Sequence, residues 1–282
     1  MVARLTTDPV RLFEIATELR KSIVTSLAEA GSGHLGGSLG FTDVLTTLFF
    51  GILNHDPLHP AWPERDRVVL SIGHIAPAFY ATLAHSGYFP VEELLTLRKL
   101  GSRLQGHPGR DHGLPGIELS AGSLGQGLSV ATGMALAAKL DNQSHHIFSI
   151  HGDGELQEGS IWEAAMAASH HRLDNLVAVI DRNGLQIDGR TEDVMKLEPL
   201  ADKWRSFGWQ VIECDGHDFT NILDAFRNAT MALDCPTVII ARTIMGKGIP
   251  SIENDFHWHG KVPSAEQLPA FLEQLTNDQY KK

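Results

Sequence analysis

Five short apolar runs constrain this chain more than any other feature: RVVLSI from Arg67, HIFSI from His146, LVAVI from Leu176, WQVIEC from Trp209 and TVIIAR from Thr237. Each is continuous rather than alternating, so both faces of the strand must be covered, and that is the condition of a parallel sheet sandwiched by helices. The segments between them carry helical periodicity. In Pro9 to Glu29, Leu12, Ile15, Ala16, Leu19, Ile23 and Leu27 share one face, with Asp8 as N-cap before Pro9 and a stop at Ala30-Gly31. Further helices are predicted at Phe41 to Phe50, Ala76 to Ser86, Val91 to Leu100, Leu124 to Leu140, Ser160 to His171, Leu200 to Phe207 and Asn221 to Leu233. The strand-helix-strand order predicts an α/β fold with a central parallel β-sheet and helices on both faces.

At 282 residues the chain accommodates one large α/β domain or two small ones, and no internal repeat or low-complexity linker divides it. The formal charge of -11 argues against phosphate backbones and anionic lipid surfaces, so neither nucleic acid nor membrane is an expected partner. The N-terminal stretch has no apolar signal core, and no apolar run reaches spanning length, which gives a cytoplasmic expectation. Cys214 and Cys235 match no metal or redox spacing and are read as thiols in a reducing compartment.

The stretch HGDGELQEG, His151 to Gly159, places a carboxylate between two glycines where the HIFSI strand ends. Open α/β sheets bind ligands at that edge. The next strand ends in DRNGLQIDG, so Asn183 lies 30 positions after Asp153, about one βαβ unit. A right-handed crossover brings the carboxylate and the carboxamide, both hard oxygen donors, to one rim, where they suit Mg²⁺ or Ca²⁺. The glycines let backbone approach a bulky group, and the first N–H groups of the Ser160 helix would favour an anion, so metal plus diphosphate is the expected occupant. The glycine spacing breaks the G-x-G-x-x-G fingerprint, and a P-loop lysine is absent. Either segment alone would read as a turn; the pair at βαβ spacing points to a site.

The run GDGELQEGSIWEAA, followed by DRN, resembles the thiamine diphosphate motif in the form used by transketolases, and LQEG and WEA favour that family over deoxyxylulose phosphate synthases and pyruvate dehydrogenases. The resemblance extends to GSGHLGGSLG at Gly31, SIGHIAPAFYA at Ser71, the glycine-rich segment from Leu104 to Ala137, and IMGKG with WHGK near the end. It implies the thiamine diphosphate-binding fold over residues 1–262, followed by a C-terminal helix and polar tail over 263–282.

By that similarity Mg²⁺, with Ca²⁺ or Mn²⁺ as substitutes, would be held by Asp153, Asn183 and the backbone carbonyl of Leu185. Gly154, His74 and His259 would lie near the diphosphate, and Gly122, Ser123 and Leu124 would contact the two rings of the cofactor. His34, His74 and His107 would line the donor-sugar site. The implied chemistry, cleavage of a ketose and transfer of a two-carbon unit, needs proton transfers at hydroxyls, for which histidine is suited. Of the HxH pair, His257 and His259, neither finds a third metal ligand at fitting spacing. Glu158 reads either as a solvated charge at a helix N-terminus or, by resemblance, as part of a carboxylate relay at a subunit contact.

The sequence departs from the family pattern at Leu35, where proline is common, at Met245, where a basic residue is common, and at Phe256, where some members have histidine. The largest departure is length. Full transketolases continue into a pyrimidine-binding and a C-terminal domain that supply the activating glutamate and the groups gripping a sugar phosphate. The resemblance therefore implies the N-terminal subunit of a split transketolase, with a separately encoded C-terminal subunit, two copies of each chain, and small sugar phosphates or related ketoses and aldoses as substrates. A noncatalytic thiamine diphosphate-binding or regulatory module and another thiamine diphosphate enzyme, such as a synthase or decarboxylase, are the alternatives.

Overall fold

The computed structural model describes residues 5–278; the last residues of the expected polar tail, 279–282, lie outside them. The helices are α1 (Pro9–Ala30), α2 (Gly36–Gly40), α3 (Thr42–Thr47), α4 (Ala76–Ser86), α5 (Gly127–Leu140), α6 (Gly159–His170), α7 (Thr191–Val194), α8 (Leu200–Ser206), α9 (Phe219–Thr230) and α10 (Leu268–Asn277). The strands are β1 (Arg67–Leu70), β2 (Ile147–Gly152), β3 (Leu176–Arg182), β4 (Leu185–Gln186), β5 (Gly189–Arg190), β6 (Gln210–Asp215) and β7 (Thr237–Arg242).

Five strands form one parallel sheet in the order β1-β2-β3-β7-β6, and β4 and β5 make a separate antiparallel hairpin. The continuous apolar runs are explained by the pleat. Phe148, Ile150, Val177, Val179, Ile239 and Ala241 point into the layer shared with α1, α3, α4 and α9. Their neighbours Ile147, Leu176, Ala178, Ile180, Val238 and Ile240 point into the layer under α5, α6 and α8. A strand buried on both sides cannot alternate apolar with polar.

Local chemistry sets the element ends. Asp8 accepts the Val10 N–H at 3.1 Å and caps α1, and Gly31 closes it at φ 64°. Asp218 accepts the N–H groups of Thr220 and Asn221 at 2.9 and 3.2 Å and starts α9 two residues earlier than the periodicity suggests. Aromatic packing fastens the C-terminal helix: Phe271 of α10 lies 5.4 Å from Trp258, and α10 runs against α1.

Three helix expectations need correction. Val91 to Leu100 forms only a 3-10 turn over Val91–Thr96, because Leu97 is extended and Arg98 and Gly101 take φ of 60° and 80°. Leu124 to Gln126 stay outside α5, since Gly122 and Gly125 sit at φ 142° and 81° and keep that segment a loop. Phe41 to Phe50 divides into α3 and a π-helical turn, Leu48–Ile52. Strand β3, by contrast, runs past the apolar LVAVI through Asp181 and Arg182.

Candidate active site

The carboxyl ends of β1, β2, β3 and β7 open onto a cavity of about 260 Å³. The parallel register sets Gly152 of β2 against Asp181 of β3, so Asp153 and Asn183 leave adjacent strands at the same level. Asp153, Asn183 and Leu185 all line the cavity, as do Gly154, Leu124 and the exposed Glu158.

Asp153 is almost fully buried. Its Oδ1 accepts the Gly154 N–H at 2.8 Å, and its Oδ2 accepts the Gly184 N–H at 2.7 Å and Arg182 Nη1 at 3.0 Å. Burial nevertheless pushes its pKa above the ordinary value, against the pull of Gly184 and Arg182. Asp181, fully buried one strand over, is pushed up to about 7 by burial and by the charge of Asp153, with hydrogen bonds from Thr243 and Asn183 opposing. With the carboxamide oxygen of Asn183 and the Leu185 backbone carbonyl, the donors there are hard oxygens fitted to a cation such as Mg²⁺.

The opposite wall is histidine. The rings of His34 and His74 lie 4.8 Å apart, and His259 is 5.6 Å from each. His107 joins at 5.6 Å from His74 and 6.1 Å from His34. Burial, reinforced by the facing imidazoles, pushes His34 down to about 3 and His74 to about 4, and burial also lowers His107 and His259. All four are thus neutral near pH 7, and the buried Nδ1 of His259 has no hydrogen-bond partner. His34, His74 and His259 line the cavity and His107 stands behind them, outside its lining; neutral imidazoles facing a cleft can accept from and donate to the hydroxyls of a polar ligand.

His257 takes no part: it is exposed, with Nδ1 on Asp255 at 2.7 Å, so only His259 of the HxH pair faces the cavity. The ligand nitrogens of His34, His74 and His259 lie within 4.8 Å of one another, so His259 finds its companions in distant segments rather than in its own. Gly122 and Ser123 stand just outside the cavity lining. A Cβ on Gly73 would meet the Gly122 N at 2.8 Å and His107 at 2.9 Å, so this wall is two backbones in contact.

The three departures from the family pattern are placed too. Leu35 is fully buried at the entry to α2, and Met245 is buried against Gly36 while lining the cavity, so apolar packing occupies both positions. Phe256 stacks on His257 at 4.0 Å.

Sequence reasoning misses four polar groups. Glu155 reads only as part of an acidic cluster, yet it is 1% exposed and lines the cavity. Asp181 and Arg182 belong to a strand whose apolar run has already ended, and Ser71 opens the SIGHIAPAFYA motif without an evident role. The expected helix N-terminus at Ser160 is also displaced from Asp153: a 3-10 turn, Gly154–Gln157, intervenes before α6.

A doubly covered parallel sheet, with a carboxylate and carboxamide one crossover apart at its carboxyl edge and glycine loops opposite, defines an α/β ligand-binding domain. The family described as the transketolase thiamine diphosphate-binding domain matches residues 13–282, and the chain belongs to the transketolase family. It is 45% identical over 263 residues to the 6-deoxy-6-sulfo-D-fructose transketolase subunit SqwG of Clostridium sp. (strain MSTE9), covering 93% of this chain and 95% of that one. It is 45% identical over 268 residues to an apulose-4-phosphate transketolase subunit of Phocaeicola vulgatus, covering 95% of each. The transketolase structure from Campylobacter jejuni superposes with a TM-score of 0.88 at 34% identity, covering 95% of this chain but 43% of that one. The chain thus spans less than half the length of that transketolase.

Proposed function

We propose that this chain is the diphosphate-binding N-terminal subunit of a two-chain transketolase, which moves a two-carbon ketol unit from a ketose donor to an aldose acceptor. The observation that carries the reading is end-to-end similarity, 95% of both chains, to a protein named as one subunit of a transketolase. Substrates in the class of sugar phosphates or sulfosugars follow from the names of the relatives, apulose 4-phosphate and 6-deoxy-6-sulfofructose. A separately encoded C-terminal subunit completes the site, in an assembly with two copies of each chain.

Asp153, Asn183 and the Leu185 carbonyl would hold Mg²⁺, and Gly154, His74 and His259 would face the diphosphate. Thiamine diphosphate, when bound, supplies the electron sink for breaking a carbon–carbon bond beside a ketone. The work left to this chain is positional and protolytic. His34, His74 and His107, neutral near pH 7, would orient sugar hydroxyls and move protons at their oxygens. Gly122, Ser123 and Leu124 would form the ledge for the cofactor rings, and Glu158 at the rim would contact another subunit.

Native mass spectrometry of the tagged chain purified from its own cells, in Mg²⁺ and thiamine diphosphate, tests the assembly. A stoichiometric second polypeptide and ketol transfer by the complex are expected. A chain that holds cofactor but yields no ketol transfer with any copurified protein would favour a noncatalytic binding module instead.

A further inference from the structure

Glu155 follows Asp153 by two positions, and its carboxylate turns inward, beneath the cofactor cradle. Its Oε1 accepts the hydroxyl of Ser71, at the end of β1, and the N–H of Gly125 at 2.9 Å. Its Oε2 accepts the N–H of Gly152, the last residue of β2, at 3.2 Å, and stands 3.4 Å from His151 Nδ1. One side chain therefore grips three segments. His74 follows Ser71 by three residues, Gly122 to Leu124 precede Gly125, and Asp153 follows Gly152.

The 122–127 loop is otherwise thinly held. Gly122 and Gly125 have positive φ, and Gln126 and Ser123 are exposed. Ser160 Oγ donates to the Gly125 carbonyl at 2.8 Å, and Gly127 donates its N–H to Ser71 Oγ at 3.0 Å, so Ser71 is both held by Glu155 and holding the loop. The fit leaves no spare room: a Cβ on Gly127 would lie 2.3 Å from Ser71 Cβ, and one on Gly125 would lie 2.7 Å from Glu158 Cβ. Such a carboxylate is a costly group to bury unless its acceptors are filled, and here backbone and hydroxyl donors fill them. Both carboxylate oxygens are thus engaged, Oε1 by Ser71 and Gly125 and Oε2 by Gly152, and the side chain ties the loop to the ends of both strands.

We propose that Glu155 is a positioning residue, a buried clamp that fixes the 122–127 loop against the ends of β1 and β2 and so sets the ledge on which the rings of thiamine diphosphate would lie. The proposal rests on the thiamine diphosphate reading of the site, although the clamp itself is a property of the cofactor-free chain.

Hydrogen exchange by mass spectrometry on the full-length chain, without cofactor, separates the two. Glu155→Gln keeps the size but offers one acceptor oxygen in place of two, and it sets an amide N–H against a backbone or hydroxyl donor. Exchange over residues 120–128 should quicken about tenfold, the scale for losing a hydrogen bond to a charged group, while the α1 peptides stay as protected as in the unmodified chain. Ser71→Ala, which removes one donor and leaves the carboxylate, should give the same local pattern more weakly. With Mg²⁺ and the partner subunit present, Glu155→Gln should raise the apparent dissociation constant for thiamine diphosphate about tenfold and leave kcat at saturating cofactor within about threefold. Unchanged exchange at 120–128 in both soluble variants would overturn the clamp, as would quickening spread evenly into α1. If the unmodified chain neither binds cofactor nor supports ketol transfer, the functional reading fails while the exchange data still decide the role of Glu155.

Discussion

Gly184 donates its backbone N–H to Asp153 Oδ2 at 2.7 Å, so the carboxylate ending β2 is fastened to the turn that carries Asn183 before any cation arrives. Arg182 reinforces the same oxygen at 3.0 Å and is itself held by Glu192 at 3.0 Å and Glu198 at 2.9 Å. The proposed metal ligands are thus preorganised by the chain, and little rearrangement is left to binding.

Removing that carboxylate should uncouple cofactor from protein. Asp153→Ala should abolish the Mg²⁺-dependent rise in melting temperature on adding thiamine diphosphate, a rise worth about 2.7 kcal/mol when ligand is at a hundred times its Kd. The same loss should follow stripping the unmodified protein with a chelator, and Mg²⁺, Ca²⁺ or Mn²⁺ should restore it. Differential scanning fluorimetry with each ion decides the matter: a full cofactor response in Asp153→Ala would remove Asp153 from the metal site.

The histidine wall predicts an acid-sensitive fold. An unfolded histidine titrates near 6.5, whereas His34 is pushed down to about 3 and His74 to about 4. As pH falls from about 6.5 toward 4, the unfolded chain takes up protons that these native rings refuse, so the rings' contribution to stability is lost over that window, while Asp181, raised to about 7, acts in the opposite sense. Urea midpoints should decline from pH 7 to pH 5, and His34→Gln should reduce the slope by up to about one proton. An unaltered slope would mean that His34 is protonated normally in the folded protein.

Gly73 tests the contact between loops. A Cβ there would sit 2.8 Å from the Gly122 N and 2.9 Å from His107 Cδ2, and backbone has little freedom to yield. Gly73→Ala should push the Gly122 loop and His107 away from His74, weakening thiamine diphosphate binding by an order of magnitude or more while the chain remains folded. Isothermal titration against Gly133→Ala, at an exposed position of α5 with helical backbone and no heavy atom near the added Cβ, provides the comparison.

The parallel sheet was legible because burial on both faces leaves an unmistakable continuous apolar run, as at Leu176 to Ile180. The meeting of Asp153 and Asn183 at one sheet edge was legible because their spacing is that of one crossover. Glu155 and Asp181 were not, since a buried carboxylate has the same letter as a solvated one and only its donors, Ser71, Gly125 and Thr243, distinguish it. Helix limits failed at Val91 to Leu100 for a related reason: its composition favours a helix, but Arg98 adopts φ 60°, and its backbone N–H goes instead to the Leu104 carbonyl at 2.8 Å. His259 was separable from His257 only by the fold, which turns one to the cavity and leaves the other 71% exposed beside Asp255.

The cavity wall at Met245 draws support from a buried charge cluster far from Asp153. Arg20 of α1 meets Asp43 of α3 at 2.7 Å, with side chains only 3% and 4% exposed, and His217 Nδ1 meets the same carboxylate at 2.8 Å. His217 Nε2 then accepts the Ile244 N–H at 2.8 Å, immediately before Met245 in the cavity wall. Asp43→Ala strands the buried guanidinium and unties that wall, and the cost of breaking such a pair is about 3–5 kcal/mol. Urea denaturation should show that loss, whereas the double variant Arg20→Met with Asp43→Leu should recover most of it, because the desolvated charge is then gone. The double variant should still bind thiamine diphosphate more weakly than the unmodified chain, since His217 remains without its carboxylate and the Ile244 loop without its anchor. Stability and affinity recovering together would show that His217 holds the loop without Asp43.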